Sequence, residues 1–110
     1  MSRTIIRNAH VISPDLNLTG ATVVLERNKI KSVSQEEIAP GTKDTVLDAK
    51  NSLLVPGFID VHMHGACSFD VCDSKGKGKG AVNPIEKIAE AKLAEGCTSF
   101  LPTTLTVGRK

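Results

Sequence analysis

Residues 54–65 read LVPGFIDVHMHG, and they carry the strongest indication of the fold. After the Pro56–Gly57 turn, the segment Phe58–Met63 is apolar except for Asp60 and His62. A nearly continuous apolar run of this length is typical of a strand that is buried on both faces of a parallel sheet. We therefore expect an α/β segment to begin here, and we place a domain boundary between residues 53 and 54.

A helix is predicted further along the chain. Asn83 is a favourable N-cap, Pro84 suits the first helical position, and Glu86 can complete a capping box. Gly96 supplies a C-terminal stop, so that the helix covers residues 84–95. The apolar face that the helical spacing predicts consists of Ile85, Ile88, Ala89, Leu93 and Ala94.

A second strand, Cys97–Leu101, follows the helix and completes a strand–loop–helix–strand unit. The loop of this unit contains the Gly- and Lys-rich stretch 74–80. It matches neither a Walker loop nor a dinucleotide-binding fingerprint, and we interpret it as a flexible solvated loop.

The first 50 residues contain short β-rich segments separated by turns, which predicts a small antiparallel sheet or half of a β-sandwich. Arg27 and Asn28 separate two of these segments, and we expect a hairpin there with Asn28 in the left-handed region. The predicted strands are residues 4–6, 9–12, 21–26, 29–33 and 45–49.

Composition excludes several classes of protein. The 110 residues carry 14 Lys and Arg against 12 Asp and Glu, with three Phe and no Trp or Tyr. Without a basic stripe and interleaved aromatic residues, a nucleic-acid partner is not expected. No apolar run approaches the roughly 20 residues that span a bilayer. Three cysteines without paired spacing, and an N-terminus without a long apolar segment, predict a cytoplasmic location.

The strongest chemical signal is the pair His62 and His64. In a strand, residues i and i+2 point to the same face, so both imidazoles can converge on one metal ion. Their place at the end of an apolar strand favours ligation, because active-site residues of α/β barrels sit at the C-terminal ends of strands. Two packed or solvated histidines are the alternative, since a bare His-x-His pair is a weak motif.

Two stretches resemble a known enzyme family. Residues 54–65 resemble the first barrel strand of the amidohydrolase superfamily, with its signature P-G-F-I-D-x-H-x-H. Residues 95–104, EGCTSFLPTT, resemble the second strand of the N-acetylglucosamine-6-phosphate deacetylase family. The resemblance implies part of a small β-sandwich at 1–53, followed at 54–110 by the first β/α unit and second strand of an incomplete TIM-like metal-dependent hydrolase barrel. It also implies that the chain is the N-terminal fragment of a larger enzyme.

The resemblance further implies a chemistry. His62 and His64 correspond to the first-strand ligands of a divalent metal, zinc or iron, with one or two ions in the complete enzyme. The reaction would be hydrolysis of N-acetylglucosamine 6-phosphate to glucosamine 6-phosphate and acetate, a step of amino sugar metabolism. The catalytic Asp and the other ligands of relatives lie beyond residue 110, so no catalytic residue is assigned here and the chain alone is expected to be inactive. Asp60 is expected to be structural, and Cys67 and Cys72 to be ordinary loop thiols.

Two alternatives remain open. A dihydroorotase or hydantoinase fits the His pair equally well, and only residues 99–103 weigh against it. A non-enzymatic domain whose exposed strand–helix–strand unit pairs with another chain is the other alternative. The expected partners are an amino-sugar phosphate substrate and either further copies of the chain or the rest of the enzyme.

Overall fold

The computed structural model describes residues 2–73 and 80–106. The predicted Gly- and Lys-rich loop therefore lies, up to residue 79, outside the described residues. The chain divides into two compact units, Met1–Pro56 and Gly57–Lys110.

The unit Met1–Pro56 contains one five-stranded sheet, in which β2 and β1 are flanked by β3 on one side and by β4 and β5 on the other. Its core lies on these central strands, where Ala9, Val11, Ala21 and Val23 form a buried cluster. The strands are β1 Arg3–Ser13, β2 Leu16–Glu26, β3 Lys29–Ser34, β4 Thr45–Asp48 and β5 Leu53–Leu54.

The sheet is mixed, which corrects the prediction of an antiparallel one. β1–β2 and β2–β3 pair antiparallel, but β4 and β5 both run parallel to β1. A contact between distant residues explains the direction of β4: the Arg3 backbone N–H donates to Asp44 Oδ1 at 2.9 Å, and its Nε donates to Oδ2 at 3.0 Å. Because Asp44 directly precedes β4, these bonds hold the start of β4 beside the start of β1. The described residues of this unit form one sheet, so the prediction that they are part of a β-sandwich is not confirmed.

Two details of the strands differ from the sequence prediction. The segments 4–6 and 9–12 belong to one continuous strand, β1, whose pairing with β2 shifts register between Ile6 and Ala9 and again between Ala9 and Val11. Asn8, in the first of these shifts, has a φ of 53°. The predicted β2–β3 hairpin is present, but its left-handed residue is Arg27, with φ 55°, and not Asn28.

The unit Gly57–Lys110 contains the predicted strand–helix–strand arrangement, with β6 and β9 paired in parallel. Its elements are β6 Phe58–Met63, β7 Gly65–Ala66, β8 Phe69–Asp70, α1 Pro84–Ala94 and β9 Cys97–Pro102. Asn83 caps α1 by accepting a bond from Ile85 N at 3.3 Å, while Glu86 reaches back to the Asn83 side-chain amide at 2.7 Å. Gly96 follows the C-cap with φ 85°, so both predicted ends of the helix are confirmed to within one residue.

Burial in this unit is lower than the sequence suggests. Within the chain, Ile59 is 68% exposed and Val61 is 69% exposed, although β6 has the composition of a strand buried on both faces. On α1, Ile88 is buried while Leu93 is 64% exposed. A sheet of two strands gives each strand only one neighbour. Burial of a strand on both faces needs further layers of structure packed against the two faces of the sheet.

Candidate functional site

The end of β6 brings the two predicted metal-binding side chains together. His62 is on β6, and His64 lies one residue beyond its end. Their Nε2 atoms are 3.1 Å apart, and the rings meet edge to face with centroids separated by 4.8 Å. His62 is exposed and His64 is half-buried. The predicted convergence of the two imidazoles is present in the structure.

His64 is held from two directions. Its Nδ1 lies 2.8 Å from the carbonyl oxygen of Thr103, which follows β9. A carbonyl only accepts hydrogen bonds, so Nδ1 carries a proton. In the singly protonated ring this leaves the lone pair on Nε2, where it accepts the 3.1 Å hydrogen bond from Nε2 of His62. The backbone carbonyl of His64 in turn accepts from Val71 N at 2.7 Å. The nitrogen that faces His62 is therefore the one suited to bind a cation.

Irregular pairing between β6 and β9 shapes this end of the strand. The register shifts between Asp60 and Met63, so that β6 has one extra residue there relative to β9. Asp60 Oδ1 accepts from the backbone N–H of His62 at 3.1 Å within this irregular stretch. A β-bulge next to a functional site changes the direction of nearby side chains, and this one lies at His62, close to the end of β6. Asp60 thus has a local role in fixing the backbone of His62.

Asp60 also connects the strand to α1. Its Oδ2 is 3.7 Å from Nζ of Lys92, which bonds at 2.6 Å to Glu95. The hydrogen bond to Glu95 is the main cause that raises the pKa of Lys92 above its ordinary value, and the charge of Asp60 adds to it. The ammonium group of Lys92 is thereby kept beside the carboxylate of Asp60, which accepts from the backbone N–H of His62.

The turn after the His pair explains the glycine at position 65. A Cβ on Gly65 would collide with the carbonyl oxygen of Phe69 on the neighbouring strand β8. A glycine at position 65 therefore allows the backbone of the β7–β8 hairpin to approach this closely. This hairpin returns the chain to His64, where Val71 N makes the bond described above.

The cysteines take no part in a metal cluster in the described portion of the chain. Cys67 is exposed, Cys72 is half-buried and Cys97 is buried, and all three are free thiols. Within residues 2–73 and 80–106, no group of three or more His, Cys, Asp or Glu side chains is arranged to hold a metal ion. Among these residues, the candidate site therefore consists of the imidazoles of His62 and His64.

The spacing of these two nitrogens fits two ligands of one cation. With metal–nitrogen bonds of about 2.0–2.1 Å and ligand angles between octahedral and tetrahedral, two donors of one ion lie roughly 2.8–3.4 Å apart. The observed 3.1 Å falls inside this interval. The bond from His64 Nδ1 to a carbonyl is also the outer contact that metal-binding histidines usually make.

The sequence alone assigns no role to Thr103. Its position directly after the second strand, level with the end of the first, is the signal that a topological argument would use. The distances to Met63 and His64 needed to assign it are visible only in the structure.

In the described part of the chain, no helix has both the length and the apolar character needed to cross a membrane.

By sequence, the chain is similar to two kinds of enzyme, a deacetylase and a dihydroorotase. No family model matches the chain. It is 34% identical over 102 residues to an N-acetylglucosamine-6-phosphate deacetylase of Lysinibacillus sphaericus, covering 93% of this chain and 24% of the relative. It is 37% identical over 65 residues to a dihydroorotase of Aquifex aeolicus, covering 58% of this chain and 15% of the relative. The chain thus spans about a quarter of the deacetylase, and less of the dihydroorotase.

A solved structure adds a likeness in fold alone. The crystal structure of a prolidase complexed with N-methylphosphonate-L-proline matches 89% of this chain and 25% of that chain, with a TM-score of 0.61 and 20% sequence identity.

Proposed function

We propose that the chain, which is similar to an N-acetylglucosamine-6-phosphate deacetylase over 93% of its length, forms part of a metal-dependent hydrolase of carbon–nitrogen bonds of the amidohydrolase family, in which His62 and His64 bind a divalent cation. The observation that carries the proposal is the 3.1 Å separation of their Nε2 atoms, combined with the bond of His64 Nδ1 to Thr103. When bound, a divalent cation such as zinc or iron polarises the carbonyl of the scissile amide as a Lewis acid.

The residues of this chain contribute binding and orientation to that chemistry. Nε2 of His62 and Nε2 of His64 are the two nitrogen atoms that would hold the cation, and imidazole suits zinc and iron. Asp60 holds the backbone of His62, while Thr103 and Val71 hold His64. Catalytic zinc sites usually have three protein ligands. We therefore propose that the enzyme binds one or two metal ions and that groups outside these two imidazoles complete their coordination.

We propose N-acetylglucosamine 6-phosphate as the substrate, with glucosamine 6-phosphate and acetate as products. The similarity to the deacetylase extends over 93% of the chain, whereas the similarity to the dihydroorotase covers 58%. The segment at the end of β9, residues 99–103, also favours the deacetylase. A dihydroorotase-like reaction is the second candidate, favoured by the higher identity of 37% over its shorter match.

We propose that residues 54–110 are the start of an α/β barrel, with residues 1–53 as a separate N-terminal part. The parallel pairing of β6 and β9 around α1 supports the barrel, because parallel strands joined by a helix are its repeating unit. A cytoplasmic location is part of the same proposal.

Metal binding is the direct test. The 110-residue chain is titrated with Co²⁺, whose visible absorption reports imidazole ligation, and then with Zn²⁺ in competition. We expect His62→Gln and His64→Gln each to weaken binding at least about tenfold, since each removes half of the donors. His10→Gln is the matched control, because His10 lies on β1 and bonds to Asn17 at 2.7 Å. Equal binding by all three variants would contradict the proposal.

The substrate is tested separately, on any longer protein that contains this chain. Release of acetate from N-acetylglucosamine 6-phosphate is compared with ring opening of dihydroorotate. Faster turnover of dihydroorotate would reject the deacetylase in favour of the second candidate.

A further inference from the structure

Three hydrogen bonds join Thr103 to the end of β6. The backbone N–H of Thr103 donates to Met63 O at 2.7 Å, and Met63 N donates to Thr103 Oγ1 at 3.3 Å. The ring of His64 donates from Nδ1 to the carbonyl oxygen of Thr103 at 2.8 Å. One residue after β9 thus contacts two consecutive residues at the point where the His pair is formed.

The hydroxyl of Thr103 has a specific task because the ladder is irregular here. Pairing between β6 and β9 shifts register before Met63, and Met63 is only 6% exposed. A buried backbone N–H requires an acceptor, and Thr103 Oγ1 is the acceptor that Met63 N uses. The same hydroxyl donates to Leu101 O at 3.2 Å, so its orientation is fixed from both sides.

We propose that Thr103 is the positioning residue of the metal site, which fixes the orientation and the tautomer of His64 so that the Nε2 lone pair faces His62. The carbonyl of Thr103 holds the proton of His64 on Nδ1, and the hydroxyl keeps that carbonyl in place by tying it to Met63. This role rests on the proposed function in that Nε2 of His64 is a metal donor.

The first test uses the metal-free chain. In long-range ¹H–¹⁵N spectra of the ¹⁵N-labelled chain, we expect His64 to carry its proton on Nδ1. Thr103→Val removes the hydroxyl at nearly constant volume, and we expect it to produce a mixture of tautomers. Thr103→Ser restores the hydroxyl and should restore the wild-type signals. Thr104→Val is the matched control, since it makes the same substitution at the exposed neighbouring position.

Two results in these spectra would overturn the proposal. One is a wild-type His64 with its proton on Nε2, and the other is a Thr103→Val chain that keeps the pure Nδ1–H form. If Thr103→Val does not fold, Thr103→Ala removes the same hydroxyl without the branched methyl group and provides the same comparison.

Zinc affinity then connects the tautomer to the site. We expect Thr103→Val to bind Zn²⁺ about tenfold more weakly than the wild type, as for other residues that orient metal ligands, with Thr103→Ser and Thr104→Val unchanged. Zinc binding that requires His62 and His64 but is insensitive to Thr103→Val would reject the positioning role alone. Absence of zinc binding in the wild type would reject the metal site itself, whatever the tautomer of His64.

Discussion

Asp44 links the start of β4 to the start of β1, across 41 positions of sequence. Its side chain is 3% exposed, and it accepts bonds from the guanidinium and backbone of Arg3 and from Gly41 N. The side-chain bond from Arg3 is the main cause that holds the pKa of Asp44 far below its ordinary value, and the bonds from Gly41 N and Arg3 N add to it. The bonds favour the ionised form, so the folded chain binds its proton less readily than the unfolded chain does.

This depressed pKa predicts a dependence of stability on pH. The Asp44 carboxylate stabilises the folded chain fully above the unfolded pKa of about 3.9, and the contribution is lost as the pH falls from there through the folded pKa. The Asn side chain does not titrate. We therefore expect Asp44→Asn to be less stable than the wild type at pH 6 and to lose less stability between pH 6 and pH 3.

Urea unfolding of the first unit at a series of pH values measures this difference. Asp15→Asn serves as the control, because it removes a carboxylate from the exposed β1–β2 turn. Parallel stability curves for the wild type and Asp44→Asn would mean that the Arg3–Asp44 contact does not survive in solution.

At the scale of elements, the β7–β8 hairpin contains a backbone conformation that its sequence does not favour. Its two-residue loop is Cys67 and Ser68, with φ values of 50° and 65°. Positive φ at both loop residues belongs to the turn type for which Asn-Gly is preferred. Residues with a Cβ are strained in this region by roughly 1–2 kcal/mol each.

Replacement of Ser68 by Gly is therefore expected to stabilise the second unit. The relief of strain exceeds the roughly 0.5–1 kcal/mol that glycine loses in chain entropy, which leaves a net gain of about 0.5–1 kcal/mol. The urea midpoint of the second unit, followed by its amide signals, measures the effect. Ser99→Gly in the extended strand β9 is the control and should destabilise the unit. A loss of stability in Ser68→Gly would contradict the argument.

The elements that the sequence predicts well are those whose signals are local. Asn83, Pro84 and Gly96 define the ends of α1 through contacts within a few residues, and the structure keeps those ends. The direction of β4 was predicted wrongly, because it depends on Asp44 meeting Arg3 across 41 positions of sequence. The same limit applies to the site: the spacing of His62 and His64 predicts their convergence, but the register shift and the contact with Thr103 arise from pairing between separate strands.

For the whole molecule, the number of ligands decides what the chain can do alone. Two imidazoles leave a cation short of the three protein ligands typical of catalytic zinc. We therefore expect the 110-residue chain to release no glucosamine 6-phosphate from N-acetylglucosamine 6-phosphate, with Zn²⁺ or Fe²⁺ added. A His62→Gln/His64→Gln double variant purified in the same way measures the background from contaminating enzyme. Turnover above that background by the wild-type chain would show that two histidines and solvent are sufficient.

In the second unit, several large apolar side chains of the two-stranded β6–β9 sheet are exposed to solvent. On β6, Phe58 is 62% exposed and Val61 is 69% exposed, while Leu101 on β9 is 59% exposed. β6 and β9 pair only with each other in the described residues, so each also has an open edge. Open edges and exposed apolar strands template pairing with another chain.

We therefore expect the purified chain to associate with copies of itself, because a further copy is the only protein partner that such a sample offers to the open edges of β6 and β9. Size-exclusion chromatography with light scattering should give a mass above the 11.7 kDa of the single chain, rising with concentration. Val61→Lys places a charge on the β6 surface and should shift the chain towards monomer. Ile30→Lys makes the same kind of change at an equally exposed position of the first unit, where both side chains are 69% exposed, and should leave the mass unchanged. A monodisperse monomer that unfolds cooperatively would show that the strands β6 and β9 are stable without a further layer, and equal effects of the two lysine variants would remove β6 as the site of association.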